Sequence, residues 1–199
     1  MQNKIITGIL LLAVIANTAW IVLLTREIAR LEKQLVPVLA RQAMENRQKA
    51  LQEKFAERMA LDQQKYTRQQ LREAEQWYQV ANQKWGTPDA IQSLQLMIEK
   101  YPDLDRTGCA VLYLAQMSKG DERARYLQAC IDKYNDCFYG DGVQVGAYAR
   151  FLLAEDYRSA GEGEKAAALV NEIKANYADA IDHGGNLLVE DLKANSRLD

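Results

Sequence analysis

The chain has little of what interrupts helices: its 199 residues include only 3 prolines and 11 glycines. Proline breaks a helix interior and glycine weakens it, so this scarcity excludes a low-complexity chain and favours long helices. A single histidine, His183, and three cysteines, Cys109, Cys130 and Cys137, exclude a structural zinc site built from closely spaced pairs. The odd number of cysteines also fits no complete disulfide framework. Cys130 and Cys137 stand near enough in sequence to pair in an oxidising compartment, with buried free thiols as the alternative. No nucleophile and base share a helpful spacing, and no lysine follows the glycines as in a phosphate-binding loop. No catalytic residue, metal or cofactor is therefore expected, and the protein is not expected to be an enzyme.

Neither sign of charge predominates, the net charge being -2. It divides unevenly. Residues 26–84 carry 12 basic and 8 acidic groups, whereas residues 85–199 carry 12 basic and 19 acidic. An acidic C-terminal part argues against nucleic-acid binding, which needs a basic surface facing phosphates.

Three segments follow from composition. Residues 5–24 (IITGILLLAVIANTAWIVLL) are free of charge and bounded by Lys4 and Arg26. As a helix they would rise roughly 30 Å, the thickness of a bilayer core. Residues 1–25 are thus expected to form a single-pass transmembrane anchor contacting lipid, with a cleaved secretory signal as the rival. The expected location is a bacterial-type inner membrane with the soluble part outside the cytoplasm, the cytoplasmic orientation being the alternative.

Residues 26–84 are dominated by good helix formers, lack glycine and contain only Pro37. They are expected to form a helical, coiled-coil-like stem. Ile28, Leu31, Leu35 and Val38 keep a three-four spacing that Gln42 and Glu45 interrupt. A looser stripe runs through Met44, Gln48, Leu51, Phe55, Met59, Asp62 and Tyr66. A solvated spacer and a homo-oligomeric seam both fit. Trp77, Tyr78, Ala81 and Trp85 mark where the stem meets the following domain.

Residues 85–199 contain an internal repeat. The segments MIEKYPD (97–103), CIDKYND (130–136) and IKANYAD (173–179) align on Tyr101, Tyr134 and Tyr177, at spacings of 33 and 43 residues. A turn opens each unit: Gly86-Thr87-Pro88, Gly120-Asp121 and Gly163-Glu164. The expected helices are residues 88–101, 105–118, 121–134, 143–160, 164–177 and 185–196. A period of about 34 marks helix-turn-helix repeats.

The segment Cys109-Ala110-Val111-Leu112-Tyr113-Leu114-Ala115, with Gly120-Asp121 and Tyr101-Pro102-Asp103, resembles the tetratricopeptide repeat family in its divergent envelope form. Ala147-Tyr148-Ala149-Arg150-Phe151-Leu152-Leu153-Ala154 with Tyr157, Gly161, Gly163 and Ala166 gives a second match, and the likeness covers residues 86–198. It implies an all-α solenoid of about three helical pairs that binds protein partners. The ten extra residues in the second interval hold Cys137-Phe138-Tyr139-Gly140-Asp141-Gly142-Val143-Gln144-Val145-Gly146. Phe138, Tyr139, Asp141, Gln144 and Tyr148 are the candidate partner-binding residues there. The alternative is a plain turn into helix 143–160 with Asp141 near its cap. His183, between Asp182 and Gly184, is expected on a surface turn or cap, a ligand role being the sharper alternative.

The whole reads as a membrane-anchored scaffold that recruits or positions a protein partner at the cell envelope. The alternative is an assembly subunit of a larger membrane complex, oligomerising through its stem.

Overall fold

The structure of the chain, a computed structural model, describes residues 2–195, with side chains described for residues 17, 18 and 20–192. It is helical throughout, apart from two isolated bridges, and no strand occurs among the described residues. The chain divides into two units, residues 1–45 and 46–199.

The first unit is helical, being the N-terminal part of α1 (Gln2–Lys65), which continues through Pro37 rather than ending there. Ile28, Leu31, Leu35 and Val38 are all more than half exposed. Among the described residues no helix is long and apolar enough to cross a membrane. That corrects the expected transmembrane anchor and, with it, the inner-membrane location. Residues 5–16 and Ala19 lie outside the residues whose side chains are described. From Arg26 onward the described helix is polar, with Arg26, Glu27, Arg30, Glu32 and Lys33 following within the next few turns.

The second unit contains the remainder of α1 and a stack of shorter helices: α2 (Arg68–Gln83), α3 (Pro88–Lys100), α4 (Asp105–Met117), α5 (Gly120–Asp132), α6 (Val145–Ser159), α7 (Gly163–Asn176) and α8 (Leu188–Asn195). Local chemistry sets several of these starts. Thr67 and Gln70 close a reciprocal capping box on α2, and Thr87 caps α3 with Pro88 in the first turn. Each helix from α2 onward packs on the next, and α2, α4, α6 and α8 also touch in series, giving two layers.

Leu94, Met97, Leu112, Leu114 and Leu127 are fully buried between those layers, each stabilising the stack by about 1.5–3 kcal/mol. Ala81, Ala90, Ala110 and Ala115 are buried beside them. Their small side chains let the helix axes approach.

The repeated tyrosines have one structural role. Tyr101, Tyr134 and Tyr177 each end a helix and donate their amide to the carbonyl four residues back, at 2.8, 3.2 and 2.9 Å. After Tyr101 the chain enters α4 almost at once. After Tyr134 and Tyr177 it makes a short hairpin first, bridged at Phe138–Gln144 and Ile181–Leu187.

The two hairpins superpose in their hydrogen bonds. Val145 N donates to Cys137 O and Leu188 N to Ala180 O, while Tyr139 N donates to Val143 O and Asp182 N to Asn186 O. Gly142 (φ +93°) and Gly185 (φ +81°) occupy the same left-handed position, which favours glycine. The ten extra residues in the second tyrosine interval are therefore a hairpin insertion, and it occurs twice. Helix α6 starts at Val145 with Gln144 as an N-cap whose side chain makes no capping bond. Asp141 instead accepts Val143 N inside the hairpin at 3.3 Å.

Candidate functional site

One layer of the stack presents a cleft of about 480 Å³. Helix α2 contributes Tyr78, Gln79 and Asn82, and α4 contributes Arg106, Tyr113 and Gln116. These positions recur at helical spacing and so share one face of each helix. The hairpins close the far side with Tyr139, Gly140 and Asp141 from the first and His183 from the second.

The charged groups of this cleft are already paired. Arg106 Nε donates to Glu75 Oε2 at 2.9 Å, and its guanidinium stands 4.6 Å from the centre of the Tyr78 ring. His183 Nδ1 lies 2.7 Å from Asp141 Oδ2. Burial pushes the Asp141 carboxyl up, but the His183 hydrogen bond and the Val143 amide outweigh it and hold the group below its ordinary value. The His183 ring meets Tyr139 edge-on at 4.8 Å and Tyr148 at 5.4 Å. Thus the tips of two successive repeats touch through one carboxylate–imidazole pair wedged between tyrosines.

Aromatic packing holds the rest of the wall. Tyr113 lies 5.3 Å from Tyr78 and 4.7 Å from Trp85 between ring centres, and its hydroxyl donates to Asn82 Oδ1. Tyr139 donates its hydroxyl to Cys109 O at 3.3 Å. Burial raises the hydroxyls of Tyr78 and Tyr139 above their ordinary values, so both stay neutral hydrogen-bonding groups.

Of the five residues singled out in the sequence, Tyr139 and Asp141 line the cleft and Tyr148 supports His183 from behind. Phe138 and Gln144 go elsewhere. Phe138, only 5% exposed, packs with Leu51, Val143 and Ile181 on the opposite face of the hairpin. Gln144 Nε2 donates to Asn135 O at 2.9 Å. Alternation along the extended backbone at the Phe138–Gln144 bridge explains the split between Phe138 and Tyr139. His183 does sit in a turn, as its sequence suggests, but it is brought to Asp141 42 residues earlier. Asp182 is not part of that arrangement, since its Oδ1 accepts Gly184 N and Asn186 N at 2.8 Å.

Sequence reasoning missed the α2 and α4 contributions. The available signal was the i, i+7, i+10 placement of Arg106, Tyr113 and Gln116 on a helix already identified.

A buried polar cluster lies beneath the first hairpin. Asp62 Oδ2 accepts Asp105 N at 2.9 Å, and Asp105 Oδ1 accepts Phe138 N at 2.8 Å. Arg58 Nε stands 3.8 Å from the same Asp105 oxygen. Burial pushes the Asp105 carboxyl up to about 7, with the Phe138 amide opposing and Asp62 adding to the shift.

The three cysteines are buried and free, so Cys130 and Cys137 are not bridged. Burial raises all three thiols above their ordinary value, which leaves them poor nucleophiles. Among the described residues, no group of three or more histidine, cysteine or acidic side chains is placed to hold a metal ion.

In comparisons with known proteins, no family model, curated protein or solved structure matches the chain.

Proposed function

We propose that residues 46–199 form a protein-binding module, a tetratricopeptide-like stack whose cleft holds an extended, uncharged polar segment of a partner and so recruits or positions it. One observation carries this reading: the charges of the cleft are paired internally, while among the described residues the side-chain amide of Gln116, which lines the cleft, makes no hydrogen bond. Arg106 is engaged by Glu75, and Asp141 by His183. Gln116 stands beside the Tyr78, Tyr113 and Tyr139 rings, and Gln79, next to them, donates to Glu75 Oε1 at 2.7 Å and accepts from Asn82 Nδ2 at 3.4 Å. Side-chain amides both donate and accept, which matches a peptide backbone. Flat aromatic walls favour an extended chain over a compact ion.

The test is an array of immobilised peptides of varied sequence probed with the full chain, and with Gln79→Ala and Gln116→Ala. Binding through the cleft predicts spots that weaken at least about tenfold in both variants, the scale of losing one or two hydrogen bonds. Unchanged spots would place any binding elsewhere.

A second reading has its own observation. Ile28, Leu31, Leu35 and Val38 keep the spacing of a helix seam and are all exposed, which supports self-association through the first unit. Crosslinking of the full chain against Leu31→Glu with Leu35→Glu tests it. Loss of a crosslinked oligomer supports the seam, and an unchanged ladder removes it.

A further inference from the structure

We propose that residues 46–65 of α1 control the cleft by seating the two hairpins that form its far wall. Where this segment is seated the cleft is formed, and where it lifts the wall is released. The inference rests on the cleft being the binding site, because it assigns that site its regulation.

Each hairpin has two working faces. On one face Phe138, Val143 and Ile181 form a small apolar cluster with Leu51 of α1, and Phe55 packs against it. On the other face the first hairpin turns Tyr139 and Asp141 into the cleft, and the tip of the second turns His183 there. The seat of α1 and the wall of the cleft thus share the same hairpins, and Tyr139 touches both, lining the cleft while packing against the Leu51 cluster.

Contact with α1 is also what fixes the first tip. Gly140 and Gly142 flank Asp141, and two glycines so close give the backbone little stiffness of its own. A methyl group on Gly142 would stand 2.9 Å from the Leu51 β-carbon, and one on Gly140 would lie 3.9 Å from the Phe55 ring. The helix therefore rests directly on the tip that carries the His183 partner.

The seat itself is thin. Between residues 46 and 65 only Leu51 and Asp62 are buried. Its polar end is the cluster of Arg58 and Asp62 with Asp105, in which Asp105 Oδ2 and Arg58 Nε find no hydrogen-bond partner among the described residues. An incompletely satisfied buried cluster holds a helix less firmly than an apolar seam does. Asp105 also accepts the Phe138 amide, so the cluster reaches the hairpin directly. Segments with few buried contacts open locally before the rest of a fold.

The experiment uses the full chain with Leu51→Ala, and Phe55→Ala as the milder companion should the first fail to fold. Amide exchange is followed at residues 46–62, at Tyr139, Gly140 and Asp141, and along α3 as the control for global unfolding. His183, the only histidine in the sequence, supplies one unambiguous set of ring resonances. The expected result is at least tenfold faster exchange at residues 46–62 and at the hairpin tip together, a shifted His183 resonance, and unchanged α3. Faster exchange in the helix with an unmoved tip and His183 would overturn the proposal.

The peptide array used for the cleft is then probed with the same variants. Spots that weaken in Leu51→Ala support control of binding, and spots that hold while the helix is loosened refute it. The exchange arm contains no ligand. A cleft that binds no peptide would defeat the binding reading while leaving the coupling to be judged by exchange alone.

Discussion

Replacing Asp105 by asparagine is expected to remove a pH dependence of stability that the folded structure builds in. Asp105 is 1% exposed, and burial pushes its carboxyl from 3.8 up to about 7 despite the Phe138 amide. The folded state therefore holds the proton more tightly than the unfolded chain. The stabilisation is fully present below the unfolded value and is lost as pH rises through the folded one.

Over the whole window the loss is about 4 kcal/mol, and from about pH 5 to about pH 8 it is about 2.5 kcal/mol, at roughly 1.4 kcal/mol per unit. Asp62, also raised by burial, acts in the same sense. Asparagine keeps the shape and an acceptor for Phe138 N but carries no titrating proton. Urea unfolding of the full chain, followed by tryptophan fluorescence across that pH range, gives the comparison. Wild type is expected to lose about 2.5 kcal/mol relative to Asp105→Asn as pH rises. Parallel pH profiles, or a wild type that gains on the variant, would refute the burial argument.

Other predictions follow from single contacts. Gly108→Ala places a methyl group 2.6 Å from the Cys137 β-carbon and is expected to destabilise unit 46–199 by about 1–3 kcal/mol in urea unfolding. Gly142→Ala combines φ +93° with the Leu51 contact and is expected to cost about as much, about 1–3 kcal/mol, against almost nothing for Gly163→Ala, which meets open space. Cys109, Cys130 and Cys137 are free and buried, so a thiol reagent is expected to label all three only after denaturation. Labelling of one thiol alone in the denatured, unreduced chain would reveal a bridge. Leu94→Ala, emptying a fully buried site between α2 and α4, is expected to cost about 2–5 kcal/mol.

The helices of the stack were legible because their punctuation is chemical. Thr87-Pro88, Gly120 and Gly163 open helices, and Tyr101, Tyr134 and Tyr177 close them, within two or three residues of the observed ends. The hairpins were harder to see. Their common pattern, an aspartate two residues after the tyrosine and a glycine eight after it, lies in Asp136 and Gly142, and again in Asp179 and Gly185. The first copy alone reads as a glycine-rich loop.

Helix α2 was assigned to the stem because Arg72, Gln76 and Gln79 give it a polar outer face, yet Ala74, Tyr78 and Ala81 bury against the stack. Residues 46–65 hid their seat for a related reason. They pack on the hairpins through Leu51 and on the first residue of α4 through the charged Arg58 and Asp62, so no apolar seam announces the contact. The charge-free run at residues 5–24 suggested a membrane from hydropathy alone. No described helix of the chain is long and apolar enough for that role. The sequence singles out Tyr139 and Asp141, which line the cleft, because two aromatics and three glycines stand out locally. It passes over Arg106, Tyr113 and Gln116, because a cleft-lining face on a helix looks like any other mixed polar face until its neighbours are known.

The central claim is that the cleft between α2, α4 and the hairpins receives a partner segment. Its most direct test is to titrate an array-selected peptide into isotopically labelled full-length protein and map the resonances that move. The account predicts movement of the Gln79 and Gln116 side-chain amides, the Tyr139 and Asp141 backbone amides and the His183 ring, with α5 at Glu122 and Arg125 unmoved. Movement confined to α5 or to residues 17–45, with His183 unchanged, would contradict it.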